Sequence, residues 1–291
     1  MTVPGEPQEV FVFQTNMTLP VQSMRKILNQ KSRINNRTSF SPFLATFMAR
    51  LAGCVAGMVL FVATASASPP SPFAAAYEAS YGGFKASAER SLSKTSDGGI
   101  SMQTTLELKL LGQTISRIKE ASSLVTDPAT GEFRPLGYTF EQTGLGRRSR
   151  SITFDWDNAT ATTLTGRQEN TIPLEDIAMD NLSGYLALRE QLLAGRLEVS
   201  FLGIDKGKLE EFQYQVIGEE SVVTSAGRFQ ALKLERIRDA ASHRTTEIWL
   251  APNWDYLLIK LVQKEPGTNT ISLELIQATM DGQEVAAVEA E

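Results

Sequence analysis

The strongest constraint on this chain is an alternation of apolar and polar residues at period two, broken at short intervals by turn-forming steps. Tyr77, Ala79 and Tyr81 alternate with Glu78 and Ser80, and Phe212, Tyr214 and Val216 alternate with Gln213 and Gln215. Successive side chains on an extended strand point to opposite faces, so each such stretch buries one face and wets the other. Between the stretches stand Gly82-Gly83, Asp97-Gly98-Gly99, "DPATGE", Gly144 with Gly146, Asp205 to Gly207 and "PGTNT". Glycine pairs and Asp-Gly steps supply the positive φ that tight hairpins need. The pattern predicts a mainly β chain: one large curved antiparallel sheet or barrel of about ten to twelve strands.

One segment departs from period two. In "LEDIAMDNLSGYLALREQLLAG", Leu182, Tyr185, Leu186, Leu192 and Leu193 recur at mostly three- and four-residue spacing, with Leu188 off the stripe. Asp180 or Asn181 can cap its start and Gly195 can end it, so a single amphipathic helix is expected, lying across one mouth or face of the sheet. Gly184 weakens that helix.

Leu51 to Ala63 form an apolar run of thirteen residues between Arg50 and "TASASPP". A membrane-spanning helix needs about 20 such residues. The run instead reads as residues 48–67 of a secretory signal peptide, cut after Ala67, which places the remainder in the periplasm with no stable transmembrane segment. Lipidation at Cys54 is rejected because that cysteine precedes the apolar core rather than following it. Residues 1–47 read as a disordered extension or a mis-assigned start, with Met24 and Met48 as alternative first residues. Residues 68–73 form a Pro/Ser-rich spacer, 74–282 a single β-rich domain, and 283–291 an acidic, frayed tail.

Removing residues 1–67 takes away 6 basic and 2 acidic residues and moves the net charge from −5 to −9. Such a surface repels nucleic-acid phosphates, so no nucleic-acid partner is expected. The single cysteine leaves with the leader, and the mature chain holds no disulfide. One histidine and no cysteine leave only carboxylates for a zinc site, so no metal is expected, and no Walker loop is present: Gly207-Lys208 is followed by Leu209, not by Ser or Thr, and no cofactor is expected.

Candidate chemistry is thin. His243 lies in a polar turn with no G-x-S-x-G in the chain, and reads as a solvent-exposed or strand-edge histidine. Asp155 and Asp157 are two apart, so on a strand they share a face and form a candidate carboxylate pair; as a turn start they would instead bond local backbone. Arg148 and Arg150 in "GLGRRSR" share a strand face and could grip a phosphate or carboxylate, or simply keep a hairpin tip soluble. Trp156, Trp249 and Tyr256 are candidate wall residues of an apolar ligand site, or plain core.

"YQVIGEESVVTSAGRFQALKLERIR" followed by "RTTEIWLAPNWDYLLIKLVQKE" resembles the bacterial domain-of-unknown-function family DUF3108. "YEASYGGF", "FRPLGYTFEQTG" and "SITFDWDNATA" fit the same pattern in order, so the resemblance runs from Ala74 to Gly282. Its most specific part is Trp249-Leu250-Ala251-Pro252 with Tyr256, preceded by Gly227, Phe229 and Lys233; the family tends to carry proline where this chain has Leu258. The resemblance implies an exported β-rich protein with no assigned activity, and it supplies no catalytic residue. The expected role is that of a non-enzymatic periplasmic protein holding a hydrophobic small molecule, lipid or envelope component in a concave sheet. The alternatives are a carboxylate-dependent envelope hydrolase or transferase using Asp155 and Asp157, and a strand-capturing interaction or scaffold module. The sheet interior separates them: a dry cavity favours a carrier, a filled core a scaffold, and converging carboxylates in a cleft an enzyme.

Overall fold

The computed structural model describes residues 68–287 except 82–83, 145, 240–241 and 268–269. The expected leader, its Cys54 and the Gly82-Gly83 turn lie outside the described residues. From Phe73 onward the alternation gives a meander of antiparallel strands: β1 (Phe73–Tyr81), β2 (Phe84–Lys94), β3 (Ile100–Leu110), β4 (Gln113–Thr126), β5 (Phe133–Gly144), β6 (Arg148–Asp155), β7 (Thr160–Thr165) and β8 (Gln168–Pro173). A two-residue strand β9 (Ala178–Met179) leads into helix α1 (Gly184–Leu193). A second meander follows: β10 (Glu198–Asp205), β11 (Lys208–Thr224), β12 (Gly227–Ile237), β13 (Thr245–Ala251), β14 (Leu257–Lys264), β15 (Ile271–Met280) and β16 (Gln283–Glu284). The meanders join where β15 pairs with β1, so β1 lies mid-sheet and β8 and β9 are the outer strands of an unclosed sheet.

Sixteen strands exceed the ten to twelve expected. Two turns escaped the pattern. Gly166-Arg167, with Gly166 at φ 61°, makes a two-residue hairpin between β7 and β8 inside a threonine-rich run that reads as one β stretch. Asp281-Gly282, with φ of 50° and 77°, makes another, so Gly282 is a turn residue rather than the domain's end. β16 pairs back on β15, and Val285 is buried with its N–H on the Ala278 carbonyl at 2.9 Å. The ordered chain therefore continues through residues assigned above to a frayed tail.

The buried face carries Tyr77, Phe140, Phe212, Tyr214, Leu234, Ile248 and Leu275, all sealed from water, and these side chains fill the middle of the curl. Helix α1 lies across this face. Asp180 and Asn181 before it touch β4 and β5, Tyr185 meets the Phe73 ring edge-on at 6.1 Å, and Arg90 lies 5.8 Å over the Tyr185 ring. Asp180 starts it: its Oδ1 accepts from the N–H groups of Leu182 (2.8 Å) and Ser183 (3.1 Å), while its own N–H donates to Ser183 Oγ (2.8 Å). Gly195 ends it at φ 74°. The buried stripe is Tyr185, Leu188, Arg189 and Leu192, an i, i+3, i+4, i+7 set. Leu188 thus belongs to the stripe and Leu193 is exposed, the reverse of the expectation. Gly184 strengthens rather than weakens this packing, because a Cβ there would sit 2.8 Å from the Phe201 ring.

The expected spacer is pinned as well. Arg189 Nη1 donates to the Ser68 carbonyl (2.9 Å), and Ser71 N–H donates to Asp255 Oδ2 (2.9 Å). Leu258, at the position where the family tends to proline, is a strand residue paired with Leu250, and its carbonyl accepts from Tyr77 OH at 3.0 Å. Among the described residues no helix is long and apolar enough to cross a membrane.

Candidate functional site

Register places the two ends of the curl apart. The start of β1, helix α1, the Pro252–Trp254 turn and the β6–β7 turn share one end; the β5–β6 and β10–β11 hairpin tips, the end of β12 and the start of β13 share the other. The helix end is tied shut by polar groups. Glu120 accepts from Tyr138 OH and from Asn181 Nδ2 (3.3 Å), and Ser122 Oγ donates to Asp180 Oδ2 (2.7 Å). Burial pushes the carboxyls of both Glu120 and Asp180 up; Tyr138, Asn181 and the charge of Arg90 act against this at Glu120, and Ser122 and the helix N–H groups act against it at Asp180. These acids are interior ties, buried beneath the helix start rather than set in a cleft.

Arginines occupy the opposite end. Past the buried Leu234, Arg236 lies on the same inner face of β12, Arg238 follows just beyond the strand's end, and Arg244 precedes β13, whose inner face carries Thr246 and Ile248. Arg148 and Arg150 continue the inner face of Ile152 and Phe154 on β6. The guanidinium of Arg236 lies 4.1 Å over the Phe212 ring and that of Arg150 lies 4.9 Å over Phe140, so aromatic faces floor this end. Arg236 is 7% exposed and Arg244 8%. Arg244 Nη2 donates to Glu265 Oε2 at 2.9 Å. Burial lowers the pKa of Arg236, and burial with the neighbouring charge of Arg236 lowers that of Arg238 to about 10, which leaves both cationic at neutral pH. Asp205, at the tip of β10, feels both Arg150 and Arg236, and burial pushes its carboxyl up despite them.

The expected site residues do not converge. Asp155 Oδ1 accepts from Asn158 N–H (3.0 Å) and its Oδ2 from Asn158 Nδ2 (2.8 Å); these bonds hold its pKa down, and Asp157 lies in the same turn. The pair is turn chemistry at the helix end. Trp156 donates Nε1–H to the Pro135 carbonyl (2.7 Å) and stacks on Phe154 at 5.6 Å. Trp249 bonds Glu220 on the other face of the sheet, between Lys233 and Lys260 at 5.0 and 5.9 Å from its ring. Tyr256 donates its OH to the Leu192 carbonyl at the helix C-terminus (3.2 Å). Arg148 and Arg150 alone lie at a candidate site, lining a hollow of about 620 Å³ with Glu141 and Arg147. Sequence reading missed Arg236, Arg238 and Arg244, although the leucine face of β12 pointed straight at the first two. His243 is exposed, and among the described residues no cluster of three His, Cys, Asp or Glu side chains could hold a metal.

Residues 76–275 match the model of the family described as "Protein of unknown function (DUF3108)", and the chain belongs to that family. The fold is similar to that of a β-barrel-like protein of domain of unknown function DUF1849 from Brucella abortus, at 9% identity and a TM-score of 0.51 over 73% of this chain and 99% of that one. A chain of the Pseudomonas aeruginosa MucA/MucB complex matches at 10% identity over 75% of this chain and 94% of that one, with a TM-score of 0.15 that carries no argument. Comparison with curated proteins found no match.

Proposed function

We propose that this DUF3108 protein is exported to the periplasm and works there as a non-enzymatic binding protein for a hydrophobic or amphiphilic component of the cell envelope. The observation that supports the reading is the contrast between the two ends of one inner face. One end is plugged by α1 and stitched by Glu120, Asp180, Arg189 and Asp255; the other presents cationic groups over the rings of Phe140 and Phe212. Sealed side chains from Tyr77 to Leu275 fill the middle of the curl, which supports placing binding at the arginine end. An enzyme acting through Asp155 and Asp157 finds no support in an Asp155 carboxylate whose two oxygens are both engaged by Asn158.

The test is extraction of protein recovered from cells with organic solvent, followed by mass spectrometry and by titration with a fluorescent fatty acid. A stoichiometric extracted lipid or saturable probe binding is expected, together with a mature amino terminus at Ser68. Neither a bound molecule nor saturable fluorescence would overturn the binding role and leave a scaffold.

A further inference from the structure

Buried guanidinium groups are expensive to leave without acceptors, since each carries up to five N–H donors and a full charge. At the arginine end the described residues leave seven such nitrogens sealed from water and without an acceptor: Nε and Nη1 of Arg236, Nε and Nη1 of Arg244, and all three of Arg238. Arg244 Nη2 donates to Glu265 Oε2 beside them. The three side chains lie within electrostatic reach of one another. Like charges gathered this way repel, and a core that served stability alone would dispense with them.

From this cluster we infer that Arg236, Arg238 and Arg244 form a binding site for a phosphate group. The inference rests on the binding role proposed above and names the chemistry of its ligand. A phosphate monoester presents three terminal oxygens, each able to accept two hydrogen bonds, which suits three guanidinium forks better than the two oxygens of a carboxylate. Arg236 and Arg244 are buried and Arg238 is half-buried with its nitrogens sealed, so the site closes toward Phe212 and comes nearest to solvent at the Arg238 stem. The phosphate comes either free or as a lipid headgroup.

Calorimetric titration of the protein recovered from cells and delipidated tests this with three probes: inorganic phosphate, oleoyl lysophosphatidic acid and monooleoylglycerol, which lacks phosphate. Saturable binding of a phosphate-bearing probe, weakened about tenfold or more by Arg238→Gln and by Arg236→Gln, is expected. Arg228→Gln, exposed at the opposite end of β12, should bind like wild type. Lysophosphatidic acid binding at least tenfold tighter than phosphate identifies a headgroup; equal affinities identify free phosphate. Removing an unmatched buried cation should also raise the melting temperature of the empty protein, an effect opposite to that of losing a structural arginine. Arg238→Lys, which keeps the charge and loses the fork, should bind in between. Monooleoylglycerol binding that matches lysophosphatidic acid and ignores both glutamine variants overturns the phosphate site and leaves the binding role standing. Binding of no probe overturns both.

Discussion

Replacing Arg189 by methionine should unfasten the helix end of the molecule. Arg189 is 2% exposed and joins three segments distant in sequence. Nε and Nη2 donate to Asp255 Oδ1 at 2.8 and 2.6 Å, and Nη1 donates to the Ser68 carbonyl at 2.9 Å and to Glu190 Oε1 at 2.6 Å. Asp255, held at φ 50°, accepts from Ser71 N–H with its other oxygen, and its carbonyl accepts from Tyr185 OH. Removing one member of a buried ion pair costs about 3–5 kcal/mol. Asp255 keeps 17% of its side chain in water, so the lower end, about 3 kcal/mol, is the appropriate figure. With an unfolding entropy of about 2.1 cal/mol/K per residue over a domain of roughly 220 residues, that cost lowers the melting temperature by about 6–7 °C. Calorimetry measures the drop, and hydrogen exchange at Ser71 reports whether the amino-terminal segment has come loose. Combining Arg189→Met with Asp255→Asn removes the stranded charge and should cost clearly less than the two single losses added together. A loss below about 1 kcal/mol for Arg189→Met, or strict additivity in the double variant, would show that the clasp carries no cooperative load.

Glu120→Gln should melt higher than wild type at pH 8, with the gap closing toward pH 4. Burial raises the Glu120 pKa in the folded protein, so from an unfolded value near about 4.3 upward the unfolded chain releases a proton that the folded one retains, and stability falls as pH rises through that window. Asp180, buried beside it and facing Ser122 and Ser183, acts in the same sense, and a gap that widens toward acid would contradict both assignments. Gly227→Ala should expel the carboxy-terminal tail: φ is 115° there, and a Cβ would lie 2.3 Å from that of Ala287. Red-shifted tryptophan emission is the readout, because Trp254 Nε1–H bonds the Ala286 carbonyl at 3.2 Å, and in a chain ending at Glu284 the substitution should cost less. Tyr256→Phe removes the bond to the Leu192 carbonyl and should cost about 1 kcal/mol in urea unfolding, without altering ligand binding.

Most of the sheet was legible because burying one face imposes period two on the residues themselves, as in Phe212-Gln213-Tyr214-Gln215-Val216. The undercount came from turns that do not announce themselves and from strands too short to show a period: Gly166-Arg167 interrupts a threonine-rich run, and β9 and β16 have two residues each. β12 was harder still, because both of its faces are buried in different places. Phe229 and Ala231 lie under cover on one face near Gly227, whereas Leu234 and Arg236 are covered on the other. The candidate site was half legible. Arg148 and Arg150 stood out as a cluster, but Arg236 and Arg238 alternate with Glu235, Ile237 and Asp239 and pass for a solvated strand end. The aromatic candidates misled for a simple reason. A buried Trp or Tyr needs an acceptor for its polar tip, and Trp156, Trp249 and Tyr256 found theirs in Pro135, Glu220 and Leu192.

The two ends of the inner face treat the same side chain in opposite ways, and this gives the arginine end its meaning. At the helix end the fold shows how it satisfies a buried guanidinium: Arg189 has two carboxylates and a carbonyl arranged around it. At the other end, among the described residues, seven guanidinium nitrogens of Arg236, Arg238 and Arg244 are sealed without an acceptor, and Arg244 bonds Glu265. The difference does not arise from a shortage of acids: Asp205 and Glu210 lie within electrostatic reach of Arg236, and Glu235 stands on the opposite face of β12. Nor does it arise from a fold unable to seal that end with hydrocarbon: Leu261 and Leu273 do so a few residues along the same buried face. Well-packed apolar residues would be at least as stable there as unmatched cations. The excess of donors over acceptors is therefore a property of the resting protein that an incoming anion can cancel, and the cost of keeping it empty becomes part of the affinity with which that anion is held.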